Sequence, residues 1–122
     1  DRLLKRRPKS FVWRTDADVL PVERTLVPPE WDFHSPRRVA AVALDNCFDG
    51  WDGRASIFWP GRKLRLDLEA SSAFRHLVIF VPSARPIFCV EPVSHANGQL
   101  AHTRLARGAA LEGKIVFRVR DL

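Results

Sequence analysis

The strongest constraint on the fold is a two-residue alternation of apolar and polar side chains in the middle of the chain. In KLRLDLE (63–69), leucine occupies every second position and charged residues fill the positions between. The preceding run, RASIFW (54–59), alternates in the same way. Because successive side chains of a strand point to opposite faces of a sheet, each run predicts a strand covered on one face. Pro60 and Gly61 lie between the runs and favour a tight turn, so we predict a β-hairpin.

Apolar runs elsewhere predict further strands. HLVIFV (76–81) is continuously apolar, as in a strand covered on both faces. KIVFRVR (114–120) alternates again, and we expect Ile115, Phe117 and Val119 to face inward. Weaker strand patterns occur near the N-terminus in RLLKRR, KSFVWRTD and VERTLVP.

No segment sustains a helical period, and the nine prolines are scattered along the chain, which argues against helices. The sequence therefore predicts an antiparallel all-β sandwich, formed by a single domain over residues 1–122. Residues 28–39 and 94–113 are expected to be long loops, which often carry function on a β scaffold.

Composition excludes several classes of protein. Hydrophobic residues make up 46% and charged residues 28% of the 122, which is typical of a globular domain that buries a core without disulfides or a metal. No apolar run approaches the roughly 20 residues of a membrane helix. The N-terminal DRLLKRRPKS lacks the apolar stretch of a signal peptide. We therefore expect a cytoplasmic protein without a membrane partner.

The formal net charge of +6 raises nucleic acid as a partner. Outside the N-terminal cluster, however, many basic residues alternate with apolar ones, as on the solvent face of a strand. No aromatic RNA-binding motif and no Gly-x-x-Gly loop is present. We assign the charge to solubility and expect no nucleic-acid partner.

Cys47 and Cys89 are the only cysteines, and they form no CxxC spacing. Two reduced thiols are the favoured interpretation, and one disulfide stays open. No cluster of histidines and cysteines surrounds either residue, so we expect no metal and no cofactor. Cys89 lies inside an apolar run and is expected to pack as a small hydrophobe.

The run PIFCVEPVSH (86–95) places a carboxylate where an apolar strand is expected to end. Glutamate is rarely buried without a partner, so Glu91 is either a structural acid or a catalytic group. A structural Glu91 would pair with a neighbouring arginine, such as Arg54 or Arg85. A catalytic Glu91 would be partly buried by its strand, as suits a general base.

LDNCFDGWDGR (44–54) holds the second group of candidate residues, which includes Asp45 and Trp51. Sugar sites commonly combine carboxylates, which accept hydroxyl hydrogen bonds, with an aromatic face that packs on sugar C–H groups. The alternative is a glycine-rich turn before the hairpin, with Trp51 in the core. The other three tryptophans are assigned to packing.

The segments LDNCFDGWDGR and CVEPVSH resemble the C-terminal half of bacterial aldose 1-epimerases, a galactose mutarotase-like family. WRTDADVLPVERTLVPPEWDF (13–33) and GAALEGKIVFRV (108–119) are also similar to that family, so the resemblance spans nearly the whole chain. It implies that the sandwich is part of a β-supersandwich. It also implies an enzyme that interconverts the α and β anomers of a free aldohexose without a cofactor.

The resemblance further implies roles for individual residues. Glu91 matches the general base of the family, and Asp45 matches an aspartate that holds sugar hydroxyls. Trp51 becomes a candidate stacking platform, and His95 a candidate positioning residue in the same pocket.

The family's general-acid histidine lies in an N-terminal half that this chain does not contain. We therefore expect the chain alone to be a weak catalyst or inactive. An incomplete sandwich is also expected to self-associate or to pair with that N-terminal segment. The alternative function is a β-sandwich module that binds a carbohydrate without catalysis.

Overall fold

Ten strands form two five-stranded antiparallel sheets in the computed structural model, which describes residues 2–6, 11–99 and 104–122. The strands are β1 (Leu3–Arg6), β2 (Phe11–Thr15), β3 (Pro21–Leu26), β4 (Arg37–Arg38), β5 (Leu44–Asp49), β6 (Arg54–Trp59), β7 (Leu64–Ala70), β8 (His76–Val81), β9 (Cys89–Val93) and β10 (Ile115–Asp121). Sheet I has the strand order β10-β7-β6-β1-β4, and sheet II has the order β3-β2-β5-β8-β9. The predicted antiparallel all-β sandwich is confirmed.

Helical structure in the described ranges is limited to short 3-10 turns at Pro29–Trp31, Val39–Ala41 and Pro60–Arg62. None of these is long or apolar enough to cross a membrane. The predicted loop 94–113 includes residues 100–103, which lie outside the described residues.

The hairpin predicted from the alternation is formed by β6 and β7 of sheet I. Ile57 lies directly opposite Leu66, so the apolar positions of the two strands share one face, as expected. The connection is the 3-10 turn Pro60–Arg62, and Lys63 closes it with a left-handed φ of 52°.

Two predictions about sheet II are wrong in detail. In β8, Leu77, Ile79 and Val81 are buried while the residues between them are half-buried, so the strand is fully covered on one face only. The next strand, Cys89–Val93, continues past Glu91, which therefore lies in the middle of the strand and not at its end. Because β9 is an edge strand, a proline inside it is tolerated.

A cluster of buried apolar side chains joins the two sheets. Its strand residues are Leu4, Ala55, Ile57 and Leu68 from sheet I and Val12, Leu44, Phe48, Leu77, Ile79 and Val81 from sheet II. Phe33, from the segment between β3 and β4, is fully buried and packs edge-to-face on Phe48 with ring centroids 6.5 Å apart. Full burial of one such side chain contributes roughly 1.5–3 kcal/mol, so this cluster holds the sheets together.

Strand β10 departs from its predicted burial. Phe117 and Val119 point to the core side of sheet I, like their partners Leu68 and Leu66 on β7, but they are 60% and 71% exposed. Ile115 is half-buried against the core cluster. The prediction that this strand packs inward is therefore wrong for its C-terminal part, because no described side chains cover it there.

Candidate active site

The pairing of β5, β8 and β9 places Asp45 and Glu91 on the same face of sheet II. Asp45 lies opposite Phe80 of β8, which lies opposite Cys89 of β9. Glu91 lies two residues beyond Cys89, so its side chain points to the same side of the sheet. In a regular sheet, two strand spacings and two residues separate the Cα atoms of Asp45 and Glu91 by about 12 Å. This separation leaves room for one sugar ring between the carboxylates.

This face points away from the core, and we refer to it as the outer face of sheet II. On β5 the alternate residues Leu44, Asn46 and Phe48 are buried on the inner side. The outer face of these three strands carries Asp45, Cys47, Asp49, His76, Val78, Phe80, Cys89, Glu91 and Val93. Within this set, one row across the sheet consists of Cys47, Val78 and Glu91. On β5 the row is flanked by Asp45 and Asp49.

In the part of the chain that the structure describes, neither of the two predicted site carboxylates is engaged by another side chain. Within residues 2–6, 11–99 and 104–122, no ion pair or side-chain hydrogen bond reaches the carboxylate of Asp45 or Glu91. Arg54, one predicted structural partner of Glu91, belongs to sheet I and lies 3.6 Å from Glu69. Arg85, the other, makes no such contact with Glu91. The structural ion-pair interpretation of Glu91 therefore has no partner in the described chain.

Burial differs between the two acids. Asp45 is half-buried, whereas Glu91 is exposed. The prediction that the apolar strand buries Glu91 is wrong, because the residue points outward from the edge strand of the sheet. Glu91 is open to a ligand here, and any shielding from water has to come from groups packed over this edge.

Asp45 borders a small hollow in the outer face. The hollow is lined by Trp13, Thr15, Val19, Pro21, Asp45, Asn46, Cys47, Val78 and Asn97. Asn97 reaches it from the segment 94–99 that follows β9, where Ala96 is buried. With a volume of about 10 Å³ the hollow holds about one water molecule. The hollow is therefore too small for a sugar ring.

The two tryptophans near this region have different roles. Trp51 is only 1% exposed, belongs to the core cluster, and donates its Nε1–H to the Arg54 carbonyl at 2.9 Å. It presents no ring face to a ligand. Trp51 is therefore a core residue, which is the alternative that the sequence left open. The tryptophan beside Asp45 is the half-buried Trp13, whose Nε1 is buried without a partner in the described chain. The sequence assigns Trp13 to packing, and its place in FVWRT puts it on the same face of β2 as Phe11.

His95 lies in segment 94–99, half-buried, with its Nδ1 2.8 Å from the Ser94 hydroxyl oxygen. Among the described residues, its side chain makes no hydrogen bond or ion pair with Asp45 or Glu91. Its role as a positioning residue therefore stays a prediction.

A second charged cluster lies next to this row, and sequence reasoning missed it. Asp49 accepts a hydrogen bond from Arg24 Nε at 2.6 Å and lies 3.3 Å from Nε2 of His76. Its carboxylate is also held by the Gly50 backbone N–H at 2.7 Å. The Arg24 guanidinium stacks 3.8 Å from the centre of the Phe11 ring. These contacts occupy Asp49, which leaves Asp45 as the free aspartate of β5. The alternation in LDNCFD was the signal that both aspartates share a face.

The two cysteines form no disulfide, and Cys47 is not suited to act as a nucleophile. Both thiols are free. Burial, with a smaller contribution from the charge of Asp49, raises the pKa of Cys47 to about 12, so its thiol stays protonated at neutral pH. The described residues contain no group of histidine, cysteine and acidic side chains able to hold a metal ion.

The two sheets define a galactose mutarotase-like fold. An Escherichia coli K12 protein of known crystal structure, described as a candidate aldose 1-epimerase, superimposes with a TM-score of 0.78 and 26% identity over 99% of this chain. A galactose mutarotase-like protein from Clostridium acetobutylicum superimposes with a TM-score of 0.69 and 19% identity, again over 99% of the chain. The resemblance predicted from the sequence is confirmed.

Sequence comparison reaches less of the chain. The uncharacterised protein YphB of Escherichia coli K12 is 32% identical over 77 residues, which cover 57% of this chain and 27% of YphB. No protein-family model matches. The chain spans 46% and 42% of the two similar structures, so it corresponds to less than half the length of each relative.

Proposed function

We propose that this chain carries the base-bearing part of a sugar-anomerising active site, in which Glu91 removes a proton and Asp45 holds the sugar. The observation that carries the proposal is the pair of unengaged carboxylates on one outward sheet face, in a chain with a mutarotase-like fold. A free hexose offers adjacent hydroxyl groups as donors, and an ionised carboxylate accepts two such hydrogen bonds. The half-buried Asp45 is suited to this contact, since no described side chain uses its oxygens.

In the proposed reaction, the Glu91 carboxylate takes the proton of the C1 hydroxyl of the ring form. The C1–O5 bond breaks as the C1 carbonyl forms, and its electron pair goes to O5, which takes a proton from a general acid. Rotation about the C1–C2 bond turns the other face of the aldehyde toward O5. The same steps in reverse close the ring as the other anomer and return both protons. Atoms and electrons balance without a cofactor.

The general acid is proposed to come from residues outside this chain. Among the described residues, His95 lies four residues after Glu91 and His76 lies opposite Val93 of β9, but they contact Ser94 and Asp49 instead. His102 lies outside the described residues. The chain also corresponds to only 46% of the E. coli structure that it resembles, which leaves room for a second set of site residues.

We also propose that the same outside residues cover an apolar groove beside β10. The groove has a volume of about 350 Å³ and is lined by Arg2, Ile57, Trp59, Leu66, Leu68, Ile87, Phe88, Val90 and Phe117. Ile87 is 46% and Phe117 60% exposed, and contiguous apolar surface of this kind marks an interaction site. Since the whole chain superimposes on part of a longer sandwich, the expected occupant is the rest of that sandwich and not an unrelated partner.

The test is the anomerisation rate of α-D-glucose and α-D-galactose, followed by NMR, in the longer protein that contains this chain. Glu91→Gln is expected to lower the rate by about 10²–10⁴-fold, the usual contribution of a general base. Glu23→Gln, an exposed glutamate on β3 of the same sheet, is the matched control and should leave the rate unchanged. A fully active Glu91→Gln variant would refute the role of Glu91.

A carbohydrate-binding module without catalysis is the second candidate function. It is favoured by the exposure of Glu91, which is not enclosed in a pocket as a general base usually is. The same experiment separates the two functions. Sugar binding that survives Glu91→Gln, together with no turnover by the unsubstituted longer protein, would establish the module.

A further inference from the structure

The outer face of sheet I, on the other side of the sandwich from Asp45 and Glu91, carries a depression of about 380 Å³. Its basic residues are Lys5, Arg54, Arg65, Arg118 and Arg120. Two carboxylates also line it, so five basic and two acidic side chains leave an excess of three positive charges. The depression therefore carries a net positive charge, although each of its four arginines pairs with Asp67 or Glu69.

The strand register places several of these positive charges close together. Arg65 of β7 lies directly opposite Arg120 of β10, and like charges in directly opposed positions of an antiparallel pair are destabilising. Two residue pairs further along, on the same face of the sheet, Asp67 lies opposite Arg118. Asp67 offsets part of this repulsion because it pairs with both arginines, and a bound anion would offset more of it.

The two carboxylates are already occupied by their neighbours. Asp67 accepts hydrogen bonds from the Ser56 hydroxyl and from Arg65 Nε, both at 2.6 Å, and lies 3.2 Å from Arg120 Nε. Glu69 accepts a hydrogen bond from Arg118 at 3.0 Å. Asp67 and Glu69 therefore position the arginines and leave most guanidinium N–H groups free for a further acceptor.

Two of the basic side chains are also positioned to bind a ligand. Arg65 is fixed by Asp67 and lies 5.3 Å from the centre of the Phe58 ring. It approaches Asp67 through Nε, which leaves its terminal amino groups toward Ser56 and solvent. The Lys5 ammonium has no side-chain partner among the described residues. Fixed arginine forks and a free ammonium suit a tetrahedral oxyanion.

We propose that this depression binds a phosphate monoester of small-molecule size, with the phosphoryl group between Arg65, Arg120 and Lys5. The volume lies in the range of small-molecule sites, about 300–1,000 Å³, and exceeds what inorganic phosphate alone fills. A nucleic acid would track a longer basic stripe, whereas these charges surround one depression. The proposal does not rest on the proposed sugar site, since the two faces share no residue.

The experiment titrates the chain with inorganic phosphate, with glucose 6-phosphate and with glucose, and follows the Nε–Hε NMR signals of the arginines. We expect both phosphates to shift the signals of Arg65 and Arg120, and glucose to leave them in place. Arg120→Gln and Lys5→Gln are each expected to weaken phosphate binding by about tenfold or more, as for loss of one charged hydrogen bond. Arg62→Gln, an exposed arginine in the hairpin turn, removes the same charge outside the depression and should change affinity less than about twofold.

Each outcome bears on the proposal. Tighter binding of glucose 6-phosphate than of inorganic phosphate supports a monoester site. Equal binding would overturn it, because only the phosphoryl group would then be recognised. Equal weakening by Arg120→Gln and Arg62→Gln would mean non-specific attraction and would overturn the site. Binding of a polynucleotide without a response to either phosphate would also overturn it. Circular dichroism of each variant confirms that the fold is retained.

Discussion

Phe117 lies directly opposite Leu68 across β7 and β10, yet Leu68 is 4% exposed and Phe117 is 60% exposed. The two side chains share one face of sheet I, so the difference arises from what packs over them and not from their direction. Leu68 belongs to the cluster that joins the two sheets, and Phe117 lies outside it. The sandwich thus has an apolar edge that is only partly covered.

This edge predicts that the chain alone associates with itself. We expect sedimentation velocity to show a mass that rises with concentration, and Phe117→Ser to reduce the association. Because Phe117 is already exposed, the free energy of unfolding should change by less than about 0.5 kcal/mol. Val22→Ser, at a position that is 62% exposed on β3, is the control and should leave association unchanged. A monomer at all concentrations would contradict the prediction.

Asp45→Asn should separate sugar holding from proton transfer. In the longer protein we expect KM for α-D-glucose to rise by about tenfold, as for the loss of a charged hydrogen bond, with a smaller change in kcat. Asp18→Asn, at an exposed position before β3, is the matched control. If the two variants have the same KM, Asp45 does not hold the sugar.

Trp51→Ala tests whether this residue is a core residue or a sugar platform. The side chain is 1% exposed and its indole N–H is bonded to the Arg54 carbonyl, so we expect a loss of about 3–5 kcal/mol in the free energy of unfolding, measured by urea denaturation. Trp13→Ala removes a half-buried ring and should cost less. A stable Trp51→Ala variant with weakened sugar binding would restore the stacking role.

How far the sequence predicts the structure depends on whether the signal is local. The hairpin of β6 and β7 follows from alternation and a turn, both of which are local, and it forms as predicted. Backbone geometry explains one glycine of the motif GWDG. Gly53 has φ +84°, and a Cβ there would lie 2.5 Å from the Ala70 carbonyl oxygen, so a side chain is excluded. This motif builds a turn that contains the buried Trp51.

The strand order of sheet II, by contrast, is not local. Asp45 and Glu91 share a face only because β8 lies between β5 and β9 in a particular register, and no pattern in either segment fixes that register. The exposure of Glu91 and Phe117 depends on which layer covers each strand, which alternation alone does not report. These are the points at which sequence reasoning was incomplete or wrong.

Asp67 predicts an acid-dependent loss of stability in sheet I. Burial alone would raise the pKa of this carboxyl, but hydrogen bonds from Ser56 and Arg65 and the charges of Arg65 and Arg120 outweigh it and lower the pKa. The stabilisation is therefore fully present above the usual pKa of an aspartate and is lost as the pH falls through the lowered value. Asp67→Asn should cost about 1–2 kcal/mol at pH 7, and the difference from the unsubstituted chain should vanish in strong acid. Asp121→Asn, on the exposed end of β10, should show no such difference.

The raised pKa of Cys47 predicts that the stability of the chain falls at alkaline pH. Its pKa in the folded chain is about 12, raised by burial and by Asp49, whereas an unfolded thiol ionises near pH 8.5. Above that pH the unfolded state binds fewer protons than the folded state, so stability falls as the pH rises toward 12. Urea denaturation between pH 7 and pH 10 should show this decline. In Cys47→Ala the part of the decline that comes from Cys47 should be absent, while the loss of core packing should lower the free energy of unfolding. Thiol labelling at pH 8 should modify the half-buried Cys89 before the buried Cys47. An identical pH slope in Cys47→Ala would show that other groups cause the decline.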